Sequence, residues 1–248
     1  MTGAPRMARR KLDWALAGGV CAFLLASAGL SAPAAAGTLQ IDPVRLEIGK
    51  ARKTASLTVR NVEDAPVTIQ AHALGWSQQD GGDTYQESAA VIVSPPIFTV
   101  PPGGTQIVRV GLRNPAASEG AYRLIVEEVP EAAVGTGVRV ALRLDIPLYA
   151  GLQPGKPGEL AWSVWRDAQR GWIAEAANRG SGYVRVEPEE LGAAVGLRLS
   201  GVTFGTVLPG SRRRWMLGER IEIADQARFE SLRLPEKSGQ NTGVSGTK

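Results

Sequence analysis

Alternating apolar and polar positions run through most of the chain after about residue 37. The clearest example is GVRVALRLDIPLYAG, residues 137–151, whose even-numbered positions are apolar while Arg139, Arg143 and Asp145 occupy odd ones. A period of two predicts a β-strand with one apolar face. About 11 residues is roughly twice the usual strand length, so a neighbour inside the same domain is not expected to cover all of it.

Seven such runs precede residue 152, and turn residues separate them. They are TLQIDPVRLEI, KTASLTVRNV, APVTIQAHALGW, ESAAVIVSPP, TQIVRVGLRN, AYRLIVEEVP and the stretch quoted above. Turn signals lie between them, among them the DGGD cluster at 80–83 and PPGG at 101–104. Seven short strands at this spacing predict an immunoglobulin-like β-sandwich over residues 37–151.

A second, shorter β-rich domain is predicted over residues 152–235, after the linker GLQPGKPG. Its clearest strands are ELAWSVW, WIAEAANR, YVRVEP, LRLSGVTF and RRWML. The pattern contains no convincing amphipathic helix, so the predicted fold class is all-β, with two immunoglobulin-like sandwiches in tandem. The polar segment KSGQNTGVSGTK near the end predicts a disordered tail, residues 236–248.

The first 36 residues have the layout of a secretory signal peptide. A basic start is followed by an apolar run from about Ala15 to Leu30 and by Ala34-Ala35-Ala36, an A-x-A cleavage site. The alternative is a membrane anchor, but Gly and Ser interrupt the run, which falls short of about 20 strongly apolar residues. We therefore expect export, a mature chain that begins at Gly37, and no membrane anchor after cleavage.

Charge and cysteine content change once this segment is set aside. It holds four basic residues and one acid, so the formal charge falls from +4 to +1. No basic footprint for nucleic acid remains. The single cysteine, Cys21, lies in the same segment, so no disulfide is predicted and stability must come from the buried core.

Three blocks of the first domain resemble the PapD-like periplasmic chaperones of the chaperone–usher pilus pathway. They are SPPIFTVPPGGTQIVRV (94–110), YRLIVEEVP (122–130) and the long alternating strand. NRGSGYVRV and TVLPGSRRRW resemble the second domain more faintly. The resemblance implies a periplasmic, non-enzymatic chaperone of a Gram-negative cell. Its implied partners are pilus or fimbrial subunits and an outer-membrane usher.

The resemblance also implies a use for the long strand, residues 137–149. In the family this strand completes an unfinished subunit by strand addition, in which backbone hydrogen bonds give affinity and alternate side chains fill the subunit's groove. The candidate side chains here are Val138, Val140, Leu142, Leu144 and Ile146. The alternative is that they face the core of their own domain, as most alternating strands do.

A basic anchor for the subunit's terminal carboxylate is implied by the same resemblance. Arg45 matches its arginine, and a guanidinium suits a carboxylate because it can pair with it bidentately. The matching lysine falls on Pro147, which leaves Arg139 or Arg143 as candidate substitutes. This departure resembles the archaic and alternative branches of the family.

Further positions are expected to be structural. Pro95 and Pro96 occupy a turn for which the resemblance implies a cis peptide, Arg109 matches a typical strand position, and Glu128 matches a glutamate that helps to join the domains. Glu127 and Glu128 point to opposite faces of a strand, so they cannot act as a paired acid and base. His72, the only histidine, is expected at the surface.

No enzyme motif and no metal-ligand or cofactor pattern occurs in the sequence, so no metal and no cofactor is predicted. Two other functions remain open. One is a secreted immunoglobulin-like surface subunit or adhesin, although no apolar donor extension or cysteine follows residue 36. The other is a general carbohydrate- or protein-binding module based on Trp76, Trp165 and Trp172, side chains that are more often buried.

Overall fold

The computed structural model describes residues 39–49, 52–114, 119–130 and 141–235. The predicted signal peptide, the predicted tail at 236–248 and the candidate residues Val138, Arg139 and Val140 lie outside the described residues. The described chain is mostly β, as its alternating pattern predicts, and two large hydrophobic cores form along it, with a smaller apolar cluster that includes Tyr149 and Tyr183 between them. The first domain is defined below by the core between residues 39 and 150, and the second by the core between 160 and 232.

Ten strands build the first domain. Their bounds are β1 Leu39–Asp42, β2 Leu46–Ile48, β3 Thr54–Asn61, β4 Val67–Gln79, β5 Gly82–Glu87, β6 Val91–Ser94, β7 Ile97–Val100, β8 Thr105–Leu112, β9 Gly120–Glu128 and β10 Arg143–Ala150. The first predicted run is therefore two strands, because the chain leaves one sheet after Asp42 and enters the other at Leu46. The Asp42–Pro43 peptide at this crossing is cis.

Two sheets face each other in this domain. One has the order β1-β3-β8-β6, and the other has the order β2-β10-β9-β4-β5, with β7 also paired to β4. The alternating residues of both sheets meet in one core, where Leu57, Val59, Val108, Leu124 and Leu148 are fully buried. Burial of apolar area at about 25 cal/mol per Å² makes this face the main source of the domain's stability.

The second domain contains three smaller sheets and two helices. Its strands are β11 Leu160–Asp167, β12 Gly171–Asn178, β13 Val184–Val186, β14 Leu197–Arg198, β15 Gly205–Val207, β16 Arg212–Gly218 and β17 Glu222–Ile223. They pair as β11-β12-β16, β13-β15 and β14-β17. The helices are α1, Pro188–Val195, and α2, Gln226–Leu232.

The expectation of no amphipathic helix was therefore wrong for the second domain. Helix α1 is closed at its start by a capping box between Glu187 and Glu190, begins with Pro188 and ends at Gly196 in the left-handed conformation. Leu191 and Val195 of this helix, and Phe229 of α2, lie buried in the second core. Each helix spans only about two turns, which is too short for a clear period of 3.6 in the sequence.

Candidate functional site

The edge of the larger sheet of the first domain is only partly covered. Strand β10 is eight residues long and pairs with β9 along its whole length. On its other side β2 runs parallel to it, but only Leu148, Tyr149 and Ala150 have partners there. Residues 143–147 therefore form an edge segment with no strand beside it among the described residues, and we call them the open edge.

The register shows which backbone groups face the open edge. Glu128 N donates to the Leu142 carbonyl at 2.8 Å, so the main-chain groups of even-numbered residues point toward β9. Those of odd-numbered residues point the other way, as does Gly151 N, which donates to the Ile48 carbonyl at 2.7 Å. Arg143 and Asp145 thus offer an N–H and a carbonyl to the open edge. Pro147 has no N–H, and its carbonyl is the acceptor that the pairing of Leu148 with Leu46 uses on the β2 side.

The apolar side chains of β10 divide into two groups. Ile146 is 4% exposed and packs with Leu148 in the core of its own domain, so its assignment to the subunit-binding set is corrected. Leu142 and Leu144 lie nearer the start of the strand and are only half-buried. They remain the candidates among the described residues, because the core no longer covers them fully.

Arg45 lies directly before β2, at the point where the open edge ends. Its Nε is 3.4 Å from Glu47 Oε1, and both side chains are about half exposed. The same Glu47 oxygen accepts a hydrogen bond of 3.0 Å from the Tyr183 hydroxyl of the second domain. Arg45 therefore lies beside the contact between the domains.

A second guanidinium lies across β10 from this position. Arg123 on β9 is the direct cross-strand partner of Pro147, the position where the anchor lysine is missing. Its guanidinium carbon lies 3.9 Å from the centroid of the Trp76 ring, and the Arg123 Nε is buried without a hydrogen-bond partner in the described part of the chain. By contrast, Arg143 contacts the carboxylates of Glu127 and Asp145, which makes it a poor substitute.

The junction between the domains is aromatic at its centre. The rings of Tyr149 and Tyr183 are stacked with centroids 3.6 Å apart, and Trp76 is tilted against Tyr149 at 6.0 Å. Burial raises the pKa of Tyr149, and the charges of Arg123, Arg45 and Arg185 counteract this effect. Burial and the adjacent Glu47 raise the pKa of Tyr183, so both hydroxyls stay protonated at neutral pH.

Polar contacts hold the β4–β5 hairpin of the first domain against the second domain. Gln78 donates to the Thr206 carbonyl at 2.7 Å and accepts from Leu208 N at 2.9 Å. Arg213 contacts Asp83 at 2.7 Å. Burial would raise the pKa of Asp83, but the hydrogen bonds from Gln78, Arg213 and Trp76 outweigh it and leave the pKa lowered.

The expected cis peptide is present, and Arg109 lies on the other sheet of the first domain from the open edge. The Ser94–Pro95 bond is cis, and the Pro96 carbonyl accepts a hydrogen bond of 2.7 Å from Ala71 N. Arg109 is exposed on β8, across from Ser56 and Ser94.

The expected domain-joining role of Glu128 is corrected. Glu128 is the last residue of β9, whereas Gly120, the first residue, pairs with Ala150 next to the domain junction. Glu128 is thus separated from the junction by eight positions along the strand. Its carboxylate lies 3.5 Å from Leu142 N instead.

The described residues give little support to a carbohydrate- or protein-binding surface built on tryptophan, or to a metal site. Trp76 and Trp165 are 5% and 3% exposed, and Trp172 packs against Phe229, so these rings do not form an exposed binding surface. His72 is half-buried, with Nδ1 3.8 Å from a Glu127 oxygen. Within the described ranges no group of three or more potential ligands could hold a metal, and no helix has the length and apolarity needed to span a membrane.

Sequence reasoning missed Arg123, Arg185 and Phe204, which all border this region. Arg123 occupies an alternating polar position of β9, but only the register with Pro147 shows its relation to the missing lysine. Arg185 and Phe204 come from the second domain, where the strands are short and the pattern gives no relative placement. No signal within the sequence could have joined them to Arg45.

Comparisons with known proteins identify the first domain. Residues 38–151 match the N-terminal domain of PapD, described as a pili and flagellar-assembly chaperone. No curated protein matches the sequence.

Solved structures match over a larger part of the chain. One is the CsuC–CsuE chaperone–tip adhesion subunit pre-assembly complex of archaic Csu pili from Acinetobacter baumannii, with 23% identity and a TM-score of 0.59, covering 75% of this chain and 96% of the other. Another is the E. coli chaperone DraB, with 20% identity and a TM-score of 0.50, covering 73% and 85% of the two chains. At such identities the structures establish the fold, and the family match identifies the domain that carries the open edge. Residues 38–151 belong to the family of PapD-type pilus-assembly chaperone domains, which are not enzymes, and the described chain has the fold of the two-domain chaperones of the chaperone–usher pathway.

Proposed function

We propose that this protein captures pilus or fimbrial subunits in the periplasm by strand addition to the open edge and delivers them to an outer-membrane usher. The observation that carries the proposal is the unpaired segment 143–147 of β10, which offers backbone donors and acceptors beside the half-buried Leu142 and Leu144. An exposed edge of this kind is a ready template for a further strand. The complex in which a similar chaperone, CsuC, holds a tip adhesion subunit supports the same use here.

The charges near the open edge favour one orientation for the added strand. Strand β2 is parallel to β10 and begins at Leu46, where the open edge ends. A partner strand that also runs parallel to β10 would lie in line with β2 and end next to Arg45. Its terminal carboxylate would then meet the guanidinium groups of Arg45 and Arg123, whereas an antiparallel strand would bring its own amino end there.

Pro147 and Arg123 together account for the missing lysine. Pro147 has no N–H, so it removes one backbone donor from the open edge at the position nearest Arg45. A carboxylate oxygen at that point would need another donor, and Arg123 faces Pro147 from β9. We assign to Arg123 the second cation of the anchor.

The test is co-expression of the chain with candidate pilus subunits from the genome that encodes it, followed by co-purification. Leu142→Asp would place a carboxylate in the apolar groove of the subunit and should abolish capture, because an unpaired buried charge costs several kcal/mol. Ile107→Asp is the matched control, since Ile107 is 45% exposed on the other sheet. Both variants should melt as the wild type does.

Two results would overturn the proposal. If folded Leu142→Asp still holds the subunit, the strand is not in the interface. If this substitution unfolds the domain while Ile107→Asp does not, Leu142 serves its own core. The second candidate function is a surface subunit or adhesin. In that case the protein would assemble with further copies of itself and would not form a one-to-one complex with a separate subunit.

A further inference from the structure

The second domain presents an arginine and a phenylalanine toward the same junction. The guanidinium carbon of Arg185 lies 4.1 Å from the centroid of the Phe204 ring, within the range of a cation–π contact. The Phe204 side chain is nevertheless 53% exposed. We call this pair the Arg185–Phe204 platform.

The register fixes the direction in which the platform faces. Arg185 on β13 is the cross-strand partner of Thr206 on β15, so the two side chains share one face of that sheet. The Thr206 carbonyl accepts from Gln78 of the first domain, and the Thr206 hydroxyl lies 3.5 Å from the Tyr149 hydroxyl. The platform therefore lies on the side of the second domain that meets the first, beside Tyr149 at the end of β10.

Close packing holds β15 in place below the platform. A Cβ added at Gly205 would lie 2.3 Å from Arg213 Nε and 2.9 Å from the Trp215 ring. Asn178 donates to the Val207 carbonyl at 3.0 Å from within the second core. Phe204 is thus an exposed ring on a rigid support, which is a favourable starting point for binding because little side-chain entropy is lost.

We propose that the Arg185–Phe204 platform is the second-domain part of the capture site and contacts the carboxyl-terminal end of the subunit strand. Arg185, which is about half exposed and paired with Glu187, supplies a guanidinium on the second-domain side of this junction. Phe204 receives the apolar side chain near the end of that strand. The end of a strand fits this position because its terminal carboxylate complements the nearby guanidinium groups and because the platform continues the line of the open edge. The inference rests on the proposed function and extends it to the second domain.

The first experiment compares two equally exposed apolar residues of the second domain. Phe204 and Met216 are 53% and 52% exposed, and Met216 lies on β16 in a different sheet. We expect Phe204→Ser to weaken capture of the co-purifying subunit about threefold to tenfold, the range of one good aromatic contact. Met216→Ser should leave capture unchanged. Equal effects of the two substitutions at equal melting temperature would overturn the assignment of Phe204.

The second experiment tests the charge. The probe is a synthetic peptide of the subunit's carboxyl-terminal strand, made once with a free carboxylate and once as the amide. Arg185→Gln should weaken binding of the carboxylate peptide and leave the amide peptide unaffected, while Arg198→Gln, an exposed arginine paired with Glu222, should change neither. An Arg185→Gln effect that is equal for both peptides, or absent for both, would overturn the charge role.

Failure of this inference is distinguishable from failure of the proposed function. If strand capture itself is wrong, Leu142→Asp will either hold the subunit as Ile107→Asp does or unfold the first domain. If only the platform is wrong, Leu142→Asp will abolish capture and Phe204→Ser will match Met216→Ser.

Discussion

At the scale of single residues, the site brings together cations that lie far apart in the sequence. Arg45 precedes β2, Arg123 faces Pro147 on β9, and Arg185 comes from the second domain. Within the described part of the chain, Arg45 is paired with Glu47, which also accepts from the Tyr183 hydroxyl, and Arg185 is paired with Glu187, so three cations face two carboxylates. The local charge balance therefore favours an incoming anion.

Replacement of Arg45 should weaken capture without unfolding the protein. A charge-assisted hydrogen bond contributes about 1.5–3 kcal/mol, and we expect Arg45→Ala to lose about 1.5 kcal/mol, or roughly tenfold in affinity, because Arg123 remains. Arg109→Ala is the control, since Arg109 is exposed on the other sheet. Isothermal titration with the subunit peptide measures the difference. Equal affinities for the two variants would place the anchor elsewhere.

At the scale of secondary structure, the alternating pattern predicted the strands of the first domain well and their partners poorly. The period of two identified β10 and its apolar face, but Ile146 could not be separated from Leu142 because both have the same parity. Whether such a side chain is buried depends on where the opposite sheet ends, and this is a property of the packed domain that the alternation alone does not contain. The break between β1 and β2 was missed for the same reason, since both strands continue one alternating run.

The two helices show a different limit. Glu187, Pro188 and Gly196 are recognisable start and stop signals, yet eight residues with small side chains give a weak helical period. The helical conformation of α1 is decided by the burial of Leu191 and Val195 in the same core as Phe229. A short segment of this kind is stabilised mainly by its contacts and not by its intrinsic propensity.

Gly196 offers a test of how strictly the end of α1 is fixed. Its φ is +73°, and an added Cβ would lie 2.6 Å from the Asp225 carbonyl. Gly210 has a similar φ of +67° but open space around it. Gly210→Ala should cost about 1 kcal/mol from backbone strain alone. Gly196→Ala should cost clearly more, as measured by urea unfolding. Equal losses of unfolding free energy in the two variants would show that the backbone near Asp225 can shift to accommodate the added Cβ.

At the scale of the whole molecule, the two domains are joined by polar contacts around an aromatic centre. Asp83 receives hydrogen bonds from Trp76 and Gln78 of its own domain and an ion pair from Arg213 of the other. The open edge, the basic residues and the platform all border this junction. The position of the second domain therefore affects the geometry of the whole capture site.

The junction should depend on pH through Asp83. Its pKa in the folded protein lies below the ordinary value of 3.8, so the folded state binds fewer protons than the unfolded chain near that pH. The stability that Asp83 contributes is fully present above about pH 4, close to the ordinary carboxyl pKa, and is lost as the pH falls through the folded pKa.

Asp83→Asn isolates this contribution. The variant should melt at a lower temperature than the wild type at pH 7, and the difference should shrink as the pH falls below 4. Thermal melts followed by circular dichroism over this range measure it. A constant difference at all pH values would show that the carboxylate charge is not what Arg213 and Gln78 stabilise.

The composition of the open edge also affects how the empty protein behaves in concentrated solution. Unpaired strand edges tend to join with one another, and native proteins suppress this with charged side chains and proline. Arg143 and Asp145 carry charge along this segment, and Pro147 interrupts its row of donors. Two copies meeting edge to edge would lack a continuous ladder of hydrogen bonds. We therefore expect the protein to stay soluble when it is present in excess over its partners, so that free molecules remain in reserve instead of polymerising.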